Sequence, residues 1–67
     1  MIVFVNNEQK ELQANSNIEH LLKKLELSAL KGMAVAVNQE VISKSNWANH
    51  LLHENDKVTI IRATQGG

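Results

Sequence analysis

SNIEHLLKKL, residues Ser16–Leu25, is the stretch on which the fold turns. Ile18, Leu21, Leu22 and Leu25 fall at i, i+3, i+4 and i+7, which places one apolar stripe along a helix. Ser16 followed three residues later by Glu19 has the form of a capping box, each side chain satisfying a backbone N–H that a helix start leaves orphaned. A helix opening at Ser16 is therefore predicted. No other part of the chain carries a full helical stripe. A single amphipathic helix must be covered by a sheet made from the remaining apolar runs.

Working outward toward the N-terminus, MIVFV (1–5) is apolar on both faces and rich in β-branched residues, which suits a central strand. Asn6-Asn7-Glu8 reads as a turn, and Gln9–Gln13 as a polar strand, with Leu12 its one strongly apolar residue, at a sheet edge. Toward the C-terminus, Gly32 ends the loop after the helix. MAVAV (33–37) is a short strand with Val35 and Val37 on one face. Asn38-Gln39-Glu40 turns into a brief strand at Val41–Ile42. SKSNWANHLL (43–52) reads as irregular, with one helical turn near Trp47, and Trp47, Leu51 and Leu52 tuck it onto the core. Asn55-Asp56 turns the chain into a last strand, Lys57–Thr64.

A helix that follows a hairpin crosses one sheet face in the right-handed sense. The prediction is an α+β fold: a mixed sheet of four to five strands with one main helix packed on one face, a β-grasp arrangement. Residues 1–64 form the single domain and 65–67 a flexible tail.

Composition narrows the function. Ordering 67 residues costs on the order of 100 kcal/mol at ~1.5 kcal/mol per residue, so nearly every apolar side chain is needed for the core. No cleft for a drug-sized ligand is left over, which argues against an independent enzyme. Seven basic and seven acidic residues cancel, so the chain lacks the field that draws proteins onto nucleic acid or anionic membrane. Cysteine is absent, which removes disulfides, thiol nucleophiles and a side-chain persulfide. The opening apolar run is too short for a signal peptide, and no stretch approaches a membrane span. A cytoplasmic location is the expectation.

The chain ends on Gly66-Gly67, a pair that chance supplies in about one chain in 200 at average glycine usage. A frayed end is the plain reading. The sharper one makes the terminal carboxylate of Gly67 the reactive group.

Here the residues resemble a known family. AVNQEVI (36–42), Trp47 and His50 three apart, Asn55-Asp56, an apolar strand and the terminal diglycine are similar to the ThiS family, small sulfur carriers of thiamine biosynthesis with a ubiquitin-like β-grasp fold. MIVFV is similar to the first strand of ubiquitin. The likeness covers the whole chain. Ser43-Lys44 stands where the family often has Pro-Arg, and Asn55-Asp56 where it has Gly-Asp. Both departures lie away from the tail and bear on partner identity more than on chemistry.

The resemblance implies a sequence of steps. A carboxylate lacks a good leaving group. Adenylation of Gly67 with ATP by a ThiF-type enzyme makes a mixed anhydride, sulfur from a persulfide donor displaces AMP, and the resulting thiocarboxylate gives its sulfur to thiazole synthase (ThiG). The chain has no catalytic residue and no stably bound cofactor of its own in this reading. Gly66 and Gly67 carry no Cβ, so with Gln65 they form a slim tail able to thread a narrow channel. If Val3 and Val5 face the helix, Ile2 and Phe4 face outward. On the last strand Thr59, Ile61 and Ala63 point out likewise. These five residues are expected to make one apolar patch leading to the tail, a partner interface.

Other candidates read more plainly. His50, His53, Glu54 and Asp56 cluster in sequence, yet a metal site needs three or four converging ligands; no metal is expected. His20 and Lys23-Lys24 read as a solvated helix face, and Trp47 as a core anchor. A ubiquitin-like modifier and a molybdopterin-type sulfur carrier would use the same tail. A plain interaction module would tolerate its loss.

Overall fold

The computed structural model describes residues 1–27 and 32–62. Five strands and two helical segments alternate in the order β1 (Ile2–Val5), β2 (Glu8–Glu11), α1 (Ile18–Lys24), β3 (Met33–Val37), β4 (Glu40–Ile42), a 3₁₀ helix (Lys44–Asn49) and β5 (Lys57–Arg62). The strands form one mixed sheet in the order β2-β1-β5-β3-β4. β1 and β5 run parallel at its centre and every other pairing is antiparallel. The predicted β-grasp arrangement is the one observed, with the polar β2 at an edge.

The stripe on α1 packs against the sheet as the spacing requires. Ile18, Leu21 and Leu22 are fully buried against Val3, Val5, Val35, Val37, Val58 and Ile60, and Leu12, Ile42, Trp47 and Leu52 complete the core. Trp47 satisfies its indole N–H on the Ile42 carbonyl at 2.9 Å, as a buried tryptophan must.

The helix start lies one residue later than expected. Asn17 is the N-cap: its Oδ1 accepts from the His20 N–H at 2.7 Å, and its own N–H donates to His20 Nδ1 at 3.0 Å. Ser16 stands outside the cap: its hydroxyl is turned toward the Gln13 carbonyl, to which it donates, and its backbone is held by Leu52, whose N–H donates to the Ser16 carbonyl. A second bond, from the Ile18 N–H to the His50 carbonyl, completes a short antiparallel bridge between Asn17 and Leu51. Extended backbone alternates its side chains, so Leu52 is buried and Leu51 turns outward at 47% exposure. The expectation that Leu51 packs on the core is corrected by that bridge.

The helix closes before Gly32. Glu26 adopts a left-handed φ of 62°, and the Glu26 and Leu27 N–H groups bond back to the Lys23 and Leu22 carbonyls, a Schellman motif without glycine. Gly32, at φ 70°, sits just before β3.

Both hairpins are tighter than the three-residue turns expected. Val5 pairs with Glu8 and Val37 with Glu40, which leaves two-residue loops at Asn6-Asn7 and Asn38-Gln39. All four loop residues have positive φ, the signature of type I′ turns whose twist matches that of the strands. Asparagine is the non-glycine residue that enters this region most readily, and the sequence, with only three glycines, uses it repeatedly: Asn6, Asn7, Asn15, Asn38 and Asn55 are all left-handed.

Candidate functional site

The site is the outer face of the sheet and the end of β5 that leads to the diglycine. Ala63, Gln65, Gly66 and Gly67 lie outside the described residues, as does the expected boundary between domain and tail. The site is therefore built up to Arg62.

Strand alternation decides which groups face out. On β1, Val3 and Val5 are buried while Ile2 and Phe4 are half-buried on the opposite face; on β5, Val58 and Ile60 are buried while Thr59 and Ile61 face out, Ile61 at 58% exposure. The register then separates these outward residues. Phe4 lies beside Lys57 in the parallel pair, so Ile2 falls at the start of β5, where its carbonyl accepts from Asn55 and its N–H donates to Glu54 Oε2. Ile61 lies at the other end. Ile2 and Ile61 thus bracket β5 rather than touch.

The apolar surface toward the Arg62 end of β5 is completed from the β3 side of that strand. Ala36 pairs with Thr59 and Ala34 with Ile61 across β3, and Val41 on β4 pairs with Ala36. Val41 is 72% exposed, the most open large apolar side chain among the described residues. The sequence reading left it out, although the signal was present: once Ile42 points to the core, its neighbour must point away. Thr59, Ile61, Ala34, Ala36 and Val41 form the patch nearest the Arg62 end of β5, with Phe4 at its flank toward Lys57.

One polar group at this end has an unusual task. The Asn6 N–H donates to the Val58 carbonyl at 2.9 Å, among the described residues the last backbone bond from this end of β1 to β5. Its side chain then reaches one rung further: Oδ1 accepts from the Ile60 N–H at 2.9 Å, and Nδ2 donates to the Ile60 carbonyl at 3.3 Å.

The remaining candidates resolve into structure. Asp56 is buried; its Oδ2 accepts from the His53 N–H at 2.7 Å and its Oδ1 from Asn38 Nδ2 at 2.9 Å, which closes the turn into β5. Among the described residues no three His, Asp or Glu side chains converge on a point where a metal could sit. His20 is exposed, as read, and also serves the helix cap, and Lys23 and Lys24 are exposed on α1. No described helix is long and apolar enough to cross a membrane.

Known proteins align with this architecture along its length. The sulfur carrier protein ThiS of Escherichia coli is 25% identical over 67 residues, covering all of both chains. A thiazole synthase of Paramagnetospirillum magneticum is 31% identical over the whole of this chain, which spans only 20% of that longer protein. The crystal structure of a thiamine biosynthesis protein, ThiS, from Geobacter metallireducens superposes with a TM-score of 0.84 at 22% identity, covering both chains fully. A solution structure of a thiamine biosynthesis protein from the same organism gives 0.78, again at 22% identity, with 88% of its chain covered. These two likenesses concern the fold. The model of the ThiS family matches residues 3–67, nearly the entire sequence and both terminal glycines, and the chain belongs to the ThiS family.

Proposed function

We infer that this protein is a sulfur carrier of thiamine biosynthesis whose working group is the carboxylate of Gly67. The observation that carries this reading is the family match through residue 67, which takes in Gly66-Gly67. In the first step a carboxylate oxygen attacks the α-phosphorus of ATP on a ThiF-type enzyme, releasing pyrophosphate and leaving an acyl adenylate. The terminal sulfur of a donor persulfide then attacks the acyl carbon and expels AMP. Cleavage of the acyl disulfide by a thiol leaves the thiocarboxylate on Gly67. The chain supplies the electrophilic carbon and the docking surface, and its partners supply catalysis. With no cysteine in the sequence, no thiol side chain competes for the sulfur.

Thiazole synthase is the proposed acceptor. A thiazole synthase that carries a segment corresponding to this whole chain supports a direct encounter between carrier and synthase. Docking runs through the outer sheet face, where Thr59 and Ile61 lead toward the tail and Ala63 continues their strand alternation in sequence; Phe4 flanks them and Ile2 lies at the rim. Contiguous exposed apolar surface of this kind marks interfaces.

The test is a mass spectrum of the chain after incubation with its adenylating enzyme, ATP and a persulfide donor. An oxygen-to-sulfur increment on the C-terminal peptide is the expected result. Conjugation of Gly67 to lysines in its place would identify a modifier, and an unchanged mass would overturn the carrier reading.

A further inference from the structure

We propose that Asn6 is a positioning residue for the carrier reaction: its carboxamide fixes the second half of β5, the strand that precedes Gly67 in sequence. The inference rests on the carrier reading above and concerns how the chain presents Gly67. In a parallel ladder every second residue of a strand bonds to the two residues flanking its partner on the neighbouring strand. Asn6 makes the first of these bonds with its backbone, to the Val58 carbonyl. The second should go from the Ile60 N–H to the Asn6 carbonyl. The left-handed φ of 50° at Asn6 has already turned β1 into its hairpin, and the side chain takes over: Oδ1 receives the Ile60 N–H and Nδ2 meets the Ile60 carbonyl. The carboxamide offers Ile60 the acceptor and the donor that a continued β1 would have offered it.

The position of this clamp gives it a function. Among the described residues, Ile60 is the last residue of β5 held from the β1 side, while β3 holds the strand through Ile61 and Arg62. Held from one side only, a strand end can pivot about its neighbour. A docked, near-extended tail of residues 63–67 spans ~17 Å at ~3.4 Å per residue, so a pivot of about 10° at the root moves its end by ~3 Å. Displacements of ~1 Å can cost a reaction as much as ~100-fold. A root fixed from both sides removes that freedom before docking.

The experiment measures ATP-dependent pyrophosphate release from the full-length chain with its adenylating enzyme, at varied carrier concentration. Asn6→Gly keeps the left-handed backbone and removes the carboxamide. Asn6→Asp keeps the acceptor for the Ile60 N–H and loses the donor. Asn38→Gly serves as the control, because it strips a comparable pair of side-chain bonds from the opposite end of β5. The expected result is a kcat lowered about tenfold in Asn6→Gly and by a smaller factor in Asn6→Asp, with the half-saturating carrier concentration changed less than about twofold, since docking through the sheet face is intact. Asn38→Gly keeps the wild-type kcat at a temperature where it is folded. The proposal is overturned if Asn6→Gly turns over at the wild-type rate, or if Asn38→Gly slows kcat as much, which would make both effects structural. Should Asn6→Gly fail to fold, a wild-type kcat in Asn6→Asp overturns it equally. A wild-type chain that is never adenylated overturns the carrier reading itself, and the positioning role with it.

Discussion

The two hairpin turns are near copies of each other and do opposite work. Asn6-Asn7 and Asn38-Gln39 are both two-residue loops, with φ of 50° and 71° in one and 51° and 72° in the other. Each opens on an asparagine whose side chain leaves its own hairpin to hold β5. Because β1 runs parallel to β5 and β3 antiparallel, the two asparagines arrive at opposite ends of that strand. Asn38 meets its beginning. It takes the Lys57 N–H at 3.0 Å, donates to the buried Asp56 carboxylate, and gives its own N–H to the Lys57 carbonyl. Every bond there closes the molecule. Asn6 meets the other end, where, among the described residues, it is the last hold on β5 from its side. The same local device shuts one end of the central strand and frames the other for release.

If that division is sound, perturbations at the two ends separate stability from function. The largest effect belongs to the tail. Deleting Gly67, or adding one residue after it, abolishes sulfur loading by mass spectrometry while thermal melting stays at the wild-type temperature, because the reacting carbon must be the last. Loading of an extended chain would break the comparison at its functional end.

At the closed end the effect is thermodynamic. Asn38→Gly preserves the turn but leaves the Lys57 N–H and one oxygen of the buried Asp56 without partners. Unmade bonds of this kind, one of them to a charged group, cost about 2–3 kcal/mol in sum, or roughly 10–20 °C of melting temperature in a domain this small. Asn6→Gly costs less, about 1–2 kcal/mol, since both of its partners belong to one residue near a strand end. Denaturant titration of the two variants checks the order. Equal losses would erase the distinction between a closing and a framing turn.

The surface beside the open end gives the next step down. Ile61→Asp weakens docking to the adenylating enzyme by about thirtyfold, or ~2 kcal/mol, with a native-like circular dichroism spectrum. Phe4→Asp weakens it less, because Phe4 lies toward the Lys57 end of the face. Calorimetric titration of both distinguishes a patch centred on the tail from one centred on β1.

Much of this was legible in the sequence, and the parts that were not share a cause. The helical stripe, the alternation of Val3 and Val5 with Ile2 and Phe4, and the diglycine are local patterns, readable without knowing what lies next to them. The errors arose where a group was claimed by a residue distant in sequence. Ser16 has the right chemistry for a cap, but its backbone is held by Leu52 and its hydroxyl is turned toward Gln13. Leu51 looks like core until the bridge to Asn17 turns it outward. How the outward residues Ile2, Phe4, Thr59 and Ile61 lie along β5 depends on the register of a parallel pair, which leaves no trace in either strand alone. Asn6 was read as a turn former, which it is. That its carboxamide also stands in for a missing length of strand depends on where Ile60 falls, 54 residues away.

The smallest prediction tests the turns themselves, at their second positions, where they differ. Asn7 and Gln39 have nearly the same left-handed φ, yet asparagine tolerates that region and glutamine does not share its short, locally bonding amide. A non-glycine residue in left-handed backbone carries a cost of roughly 1–2 kcal/mol. Glycine removes it and gives back about 0.5–1 kcal/mol in unfolded-state entropy. For Gln39→Gly the balance favours the fold by about 0.5–1 kcal/mol, because asparagine followed by glycine is the strongest type I′ pair. For Asn7→Gly the steric relief is smaller and the two effects nearly cancel, to within about 0.5 kcal/mol. Paired urea titrations resolve the difference. A larger gain from Asn7→Gly than from Gln39→Gly would mean that the turn at the open end is the strained one. The strain of β1's departure would then sit in the turn, and the Asn6 carboxamide would hold β5 against it.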